Sequence, residues 1–254
     1  LESIRYQPKG VGKTASSGIF RILSVTMLLI FSSFVYINSE SVNDAISSTV
    51  ESRNANETPL VGLAEEEFWP VLRVSFPAKP FPNSQLGVLF EGNNSAQQYI
   101  SEISGGDSQL TTTIVGETWA SPYSESHWGK DSETERDTGA DSGGARELAR
   151  EAIISTFQDQ DISQWDLDGD LVVDRLLILH SGQAQEEGGP STSIWSHFSA
   201  FYEPVAVGKY TFEHYTMASV HGGLGVLVHE MLHQMGAVDL YDVHSDAPTR
   251  NWHG

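Results

Sequence analysis

The chain has 254 residues and no cysteine, and its formal net charge at pH 7 is −20. This length accommodates one good-sized domain with tails, and an apolar content of 39% is that of a globular protein rather than a disordered one. The negative charge argues against nucleic acid as a partner, because a polyanion would be repelled. The lack of cysteine excludes disulfide bonds, thiolate metal sites and a cysteine nucleophile, so any metal ion must be held by His, Asp or Glu.

The N-terminal segment differs from everything that follows it. Four basic residues precede an apolar run over residues 22–37, which is long for a signal-peptide core and short for a membrane span. We predict that residues 1–37 are a basic segment with a membrane anchor or a cleaved signal, with a buried core helix as the remaining alternative. Residues 38–66, rich in Ser, Asn and Glu, are predicted to be a linker or the remnant of a pro-segment. In both of the first two cases, the positive-inside rule places residues 67–254 outside the cell.

The first half of the globular part shows short elements separated by turn residues. In the helical stretch, Tyr99, Ile100 and Ile103 are predicted to face inward. The predicted elements are a strand over residues 71–76, a helix over 95–106, a β-like segment over 109–119 and a long surface loop over 121–144.

The second half contains the clearest helical pattern of the chain. Residues 145–158 place an apolar stripe on one face and charged residues on the other. Strands are predicted over residues 171–180 and 210–219, and three glycines then open a helix over residues 224–235. Because helices and strands alternate, we expect an α/β or α+β domain with a mixed, mostly buried central sheet.

The last predicted helix carries a metal-binding pattern within residues 228–242, VHEMLHQMGAVDLYD. His229 and His233 lie one helical turn apart, so both imidazoles can reach one zinc ion at about 2.0–2.1 Å. Glu230 points in a neighbouring direction, where it can act as general base on a water activated by the zinc. Apolar residues fill the other faces, so we expect this helix to be deeply buried and its polar side chains to need partners.

The residues after the second histidine supply a third ligand. Gly236 allows the helix to end with a positive φ, which turns the chain back toward the metal. Asp239 is then predicted as the third zinc ligand, and Asp242, His244 and Asp246 remain alternatives.

A second acidic cluster occurs in DLDGDLVVD. Asp166, Asp168, Asp170 and Asp174 alternate with other residues, and Gly169 permits a tight turn, so these carboxylates can converge on one calcium ion. The alternative is a solvated acidic turn before a buried strand.

The segment HEMLHQMGAVDLYD resembles the zinc-binding segment of the immune inhibitor A family of secreted metallopeptidases, which is related to the metzincins. The stretches DLDGDLVVDRLLILHSG (166–182) and IWSH (194–197) also resemble segments of that family, and a weaker match extends back to residue 68. The resemblance implies a zincin-like fold and an exported zinc endopeptidase, usually made with a pro-segment. It also implies His229, His233 and Asp239 as ligands and Glu230 as general base.

Two other residues are predicted to belong to the site, and the sequence departs from the family pattern at one point. His197, in IWSH, is predicted to contact the substrate or to orient a zinc ligand. Tyr241 is predicted to support the site or stabilise the oxyanion, with a packing role as the alternative. No methionine follows Asp239, although metzincin-like enzymes place a methionine-containing turn beneath the metal. We therefore predict a C-terminal truncation ahead of that turn.

These patterns predict a zinc metalloendopeptidase acting on proteins or peptides and associated with the membrane through its N-terminal segment. The rival hypothesis is an inactive calcium-binding surface or adhesion module that keeps the peptidase fold. The intact HExxH argues against that rival, because a binding module does not need Glu230. A zinc hydrolase with non-peptide substrates is the third alternative.

Overall fold

The computed structural model describes residues 59–140 and 143–239. The predicted anchor or signal over residues 1–37 lies outside the described residues. The second of the two compact units of the chain extends over Thr58–Gly254, and the predicted domain boundary at residue 67 stays a prediction. Within the described residues, no helix has the length and apolar character needed to cross a membrane.

The described chain forms six strands and five α-helices. The strands are β1 (Glu66–Ser75), β2 (Gln109–Ile114), β3 (Trp119–Ala120), β4 (Leu177–His180), β5 (His197–Val207) and β6 (Tyr210–Ser219). The helices are α1 (Leu86–Phe90), α2 (Ala96–Ile103), α3 (Glu125–Trp128), α4 (Gly144–Phe157) and α5 (Gly223–Gln234).

The strands form one mixed sheet, as the alternation of helices and strands predicted. Its order is β2-β1-β4-β6-β5, and β3 pairs with β1 beside this path. All pairs are parallel except β5 with β6, which is antiparallel and shifts register between Ala200 and Val205. Strand β5 lies at the end of this order, so one of its edges is not paired with another strand of the described chain.

Both faces of the sheet are covered, which explains why its central strands are apolar on both sides. In β1, Leu72 and Val74 pack into the core that contains α4, whereas Trp69 and Val71 pack into the core beneath α2 and α5. The alternation follows from the two-residue period of a strand. Helix α5 is therefore held against the sheet by a buried face.

Several predicted elements differ from the structure. The predicted strand over residues 171–180 is reduced to β4, because the chain first passes through a turn in which Leu171 has a φ of 74°. In α2, Ile100 is buried as predicted, but Tyr99 and Ile103 are 39% and 46% exposed, so their predicted inward orientation is wrong.

Two other segments contain more structure than their sequences indicated. The predicted surface loop over residues 121–144 includes α3, in which Glu125 and Trp128 are buried. Strand β5 was not predicted at all. Its sequence includes Pro204 and does not alternate cleanly, because residues between Ala200 and Val205 bulge away from β6.

Candidate metal centre

Helix α5 presents its two histidines on the side that faces away from the core. Leu227, Val228 and Met231 are buried against the sheet. His229 and His233, one turn apart, remain half-buried. The hydrophobic face thus fixes the rotation of the helix and, with it, the direction of both imidazoles.

The helix ends as its glycine predicted. Gly236 has a φ of 90°, its amide donates to the carbonyl of His233 at 2.9 Å, and the next amide, of Ala237, donates to Leu232 at 3.0 Å. This pattern satisfies the last carbonyls of the helix and reverses the chain. The reversal brings Asp239 beside the histidines.

Three ligand atoms converge at this point. His229 Nε2 and His233 Nε2 are 3.1 Å apart, and Asp239 Oδ1 lies 3.3 Å from each of them. Atoms bound to one tetrahedral zinc at about 2.0–2.1 Å would be separated by about 3.3 Å. The side chains therefore already have the spacing of a zinc ligand set.

Two hydrogen-bonding features fit a metal as well. Asp239 Oδ1 is buried and makes no hydrogen bond within the described residues, which would be costly unless a cation were bound there. His233 Nδ1 lies 2.9 Å from the carbonyl of Ala237. A proton on Nδ1 would leave Nε2 with its lone pair directed at the cluster, as in many metal-binding histidines. The pKa of His229 is lowered by burial and by the neighbouring His233, which favours the neutral ring that binds metals.

Glu230 lies beside this cluster without belonging to it. Its Oε1 is 4.0 Å from His229 Nε2, and its Oε2 accepts a hydrogen bond from the amide of Phe198 in β5 at 2.9 Å. Burial raises the pKa of this carboxyl to about 7. A carboxyl with a pKa near neutral, next to a metal cluster, is suited to exchanging protons with a reacting group.

The end of α5 is anchored by a polar network beneath the metal cluster. Gln234 Oε1 accepts from the Thr216 hydroxyl at 3.1 Å and from the amide of Leu176 at 3.3 Å. Arg175 donates to the carbonyl of Gln234 at 3.4 Å. These bonds join the ligand-bearing helix to β6 and to the segment that enters β4.

Arg175 is the centre of this network and is fully buried. It forms an ion pair with Glu67 at 2.7 Å, and both side chains are 0% exposed. It also donates to the carbonyls of Val61 and Gly62. A fully buried charge of this kind persists only when it is paired and hydrogen-bonded.

His197 is the one predicted auxiliary residue that the structure describes. Its Nδ1 lies 2.7 Å from the carbonyl of Trp195 and its Nε2 lies 2.9 Å from the hydroxyl of Tyr215, so both ring nitrogens have partners in the protein. It precedes Phe198, whose amide contacts Glu230. Its predicted contact with the substrate or with a zinc ligand stays a prediction. Tyr241 and the alternative ligands Asp242, His244 and Asp246 lie outside the described residues.

The acidic loop brings together three of its four predicted carboxylates. Ligand atoms of Asp166, Asp168 and Asp174 lie within 4.8 Å of one another, and Asp170 is not part of this group. Asp166 accepts two backbone amides of its own loop, and Asp174 accepts the amide of Leu167. Burial raises the pKa of Asp174 to about 6.

Sequence reasoning missed the groups that position the site from a distance. The amide of Phe198 and the side chain of Gln234 carry no signal in the sequence that distinguishes them from their neighbours. Arg175 does carry one. It stands within the apolar run VVDRLLIL, and a charge in a buried segment requires a partner.

A mixed sheet packed against a helix with HExxH, with an aspartate turned back onto that helix, is the arrangement of a metallopeptidase domain of the zincin type. The comparison of sequences specifies the class further. Residues 81–253 match the family described as immune inhibitor A peptidase M6, catalytic domain, and the chain belongs to this family.

Two relatives show how much of a longer protein this chain resembles. Immune inhibitor A of Bacillus thuringiensis subsp. alesti is 29% identical over 176 residues, which cover 58% of this chain and 25% of that protein. Pre-pro-metalloprotease PrtV of Vibrio cholerae serotype O1 (strain M66-2) is 28% identical over 178 residues, which cover 58% of this chain and 19% of that protein. The chain therefore spans a quarter or less of the length of these relatives.

Proposed function

We propose that this metallopeptidase is an exported zinc endopeptidase. The observation that carries the proposal is the triangle formed by His229 Nε2, His233 Nε2 and Asp239 Oδ1, whose sides of 3.1, 3.3 and 3.3 Å match the spacing of tetrahedral zinc ligands. Export is supported by the basic and apolar N-terminal sequence and by the printed name of the Vibrio relative, a pre-pro-metalloprotease.

In this proposal, the three ligand side chains would hold the ion and Glu230 would move the proton. Zinc supplies a Lewis acid that polarises the scissile carbonyl and lowers the pKa of water. Glu230 accepts the proton of the attacking water through its carboxylate and then delivers it to the leaving amine nitrogen. The amide of Phe198 keeps one carboxylate oxygen fixed at 2.9 Å, so the other oxygen is directed to the side of His229.

The unpaired edge of β5 supports a peptide as the substrate. Phe198 lies on this last strand of the sheet, and its amide donates to Glu230. An extended peptide can add to such an edge through main-chain groups other than the Phe198 amide and the Ala200 carbonyl, which are bonded to Glu230 and Arg146. A peptide docked along β5 would place a carbonyl group close to the metal cluster and the general base together.

The test is hydrolysis of casein and of an internal, end-blocked fluorogenic peptide by the zinc-loaded full chain. We expect hydrolysis of both substrates, inhibition by phenanthroline, and recovery when zinc is restored. Glu230→Gln is expected to bind zinc as before and to lose about 10²–10⁴-fold in kcat, the contribution of a general base. Full activity in that variant would refute the role of Glu230, and hydrolysis of an ester but neither protein substrate would favour the hydrolase with non-peptide substrates.

A calcium ion bound by Asp166, Asp168 and Asp174 is a separate part of the proposal. Oxygen ligands within 4.8 Å of one another suit a calcium ion, whose bonds to oxygen are about 2.3–2.6 Å long. Such an ion would stabilise the loop before β4 and, through Arg175, the network beneath α5.

A further inference from the structure

A cavity of about 230 Å³ lies between α4 and β5. Two arginines line it, Arg136 from the loop before α4 and Arg146 from α4 itself. Asp137, Trp195 and Phe198 also line the cavity. The chain has a net charge of −20, so two arginines in one small cavity form a local region of positive charge on a negatively charged protein.

The cavity is connected to the general base through a single residue. Phe198 lines the cavity, and its amide donates to Glu230 at 2.9 Å. Arg146 donates through Nε to the carbonyl of Ala200 at 2.9 Å, two residues further along β5. Two residues of a strand span about 7 Å, so Arg146 lies within two peptide positions of the residue that contacts Glu230.

Both arginines are held in place and keep donors available. Arg136 stacks over the ring of Trp195 at 3.5 Å. Arg146 stacks over Tyr202 at 3.9 Å and donates to Ser199 as well as to Ala200. A guanidinium has five N–H donors, so these contacts leave several donors unused. The stacking fixes the planes of the guanidinium groups and lowers the entropy lost when a ligand binds.

No ion pair among the described residues involves either of these guanidinium groups. The ion pairs of arginines in the described chain are Arg150 with Glu147 and Arg175 with Glu67, and neither includes Arg136 or Arg146. Asp137 is the carboxyl within the cavity. It accepts the amide of Trp195; burial raises its pKa to about 8, while this hydrogen bond and the charge of Arg136 act in the opposite direction.

We infer that this cavity is a substrate subsite that binds a carboxylate of the peptide, through Arg136 and Arg146, within about two residues of the scissile bond. The inference rests on the proposed peptidase function. Planar guanidinium groups bind carboxylates with paired, charge-assisted hydrogen bonds, and the cavity supplies two such groups. The carboxylate is either an Asp or Glu side chain of an internal sequence or the terminal carboxylate of a peptide.

The experiment uses the full zinc-loaded chain and pairs of quenched fluorogenic peptides. Each pair differs by Glu or Gln at one of the three positions on either side of the scissile bond, and each peptide is made with a free acid and with an amide at its C-terminus. We expect kcat/KM to favour Glu over Gln about 10- to 100-fold at one position, the range for a hydrogen bond to a charged group. A preference for the free acid over the amide would instead identify the terminal carboxylate as the ligand.

Variants assign the preference to the cavity. Arg136→Gln and Arg146→Gln are expected to bring the Glu-to-Gln ratio of kcat/KM close to 1. Arg150→Gln is the matched control, because Arg150 also lies on α4 and donates to β5, at the carbonyl of Glu203, but does not line this cavity. Arg136 is exposed, and among the described residues its guanidinium stacks on Trp195, so its variant stays informative if Arg146→Gln does not fold.

A second measurement separates this inference from the proposed function. Calorimetry measures the Kd of the same peptides for the Glu230→Gln chain, which requires no turnover. Tighter binding of Glu or free-acid peptides, abolished by Arg136→Gln, supports the subsite even if no peptide is hydrolysed. Equal kcat/KM and equal Kd for all matched peptides, or a preference that survives both arginine variants, would overturn the inference.

Discussion

Replacement of Asp239 by alanine gives the sharpest test of the metal centre. Asp239 Oδ1 is one corner of the ligand triangle, so the variant leaves two of three protein ligands. Loss of a residue that only orients a ligand costs about 10–100-fold in metal affinity, and loss of a ligand should cost at least the upper value. We therefore expect zinc to bind at least about 100-fold more weakly.

The effect can be stated as a change in melting temperature. Zinc at 100 times its Kd stabilises the folded chain by about 2.7 kcal/mol, and after a 100-fold loss of affinity by about 0.4 kcal/mol. The compact unit Thr58–Gly254 falls in the size class in which 1 kcal/mol shifts Tm by about 2–4 °C. Zinc should then raise Tm by about 5–11 °C in the parent chain and by about 1–2 °C in Asp239→Ala.

Differential scanning fluorimetry with and without zinc, after treatment with a chelator, measures both shifts. Glu230→Gln and Asp242→Ala are the controls, and both should keep the full shift, since neither removes a proposed ligand. The same zinc-induced shift in Asp239→Ala as in the parent would refute Asp239 as a ligand. A reduced shift in Asp242→Ala would transfer that role to the alternative residue.

Three further outcomes test other parts of the structure. Asp137→Asn should be more stable than the parent at pH 7, by up to about 4 kcal/mol at 1.36 kcal/mol per pKa unit. The parent's folded-state pKa of about 8 lies above that of the unfolded chain, so its stability falls as pH rises from 4 to 8. Urea unfolding should show that the extra stability of Asp137→Asn over the parent is smaller at pH 4 than at pH 7. The same extra stability at both pH values would contradict the raised pKa of Asp137. Glu67→Gln leaves the buried guanidinium of Arg175 without its counter-charge. The free energy of unfolding should therefore fall by about 3–5 kcal/mol, which thermal melts measure. An unchanged Tm would show that this ion pair does not contribute much to the stability of the fold. If the acidic loop binds calcium, 1 mM calcium should raise Tm in the parent but not in Asp168→Ala, whereas equal responses would place the ion elsewhere.

The sequence predicted best those helices and strands in which buried residues recur at one regular spacing. The predicted strand over residues 210–219 coincides with β6, and the predicted helices over residues 145–158 and 224–235 differ from α4 and α5 by one residue at each end. Gly236 predicted the turn that returns Asp239 to the histidines, because only a glycine adopts a φ of 90° at low cost. The proximity of His229, His233 and Asp239 could thus be predicted from eleven consecutive residues.

Features that depend on distant contacts could not be predicted in this way. Strand β5 is defined by pairing with β6 through a bulge, and neither its alternation nor its composition indicates a strand. The bond from Phe198 to Glu230 joins residues 32 positions apart through a backbone amide, which has no side-chain identity to read. The arginine-lined cavity likewise exists only after α4 has packed against β5.

The buried Arg175 has a consequence for the order in which the chain folds. It hydrogen-bonds to the carbonyl of Val61, 114 positions earlier, and to that of Gln234, 59 positions later, at the end of the ligand-bearing helix. Contacts of such long range form late in folding, because the chain between them must first be ordered. The segment around Val61 and the C-terminal end of α5 must therefore meet before the network beneath the helix is complete, so the two ends of the described chain become ordered together.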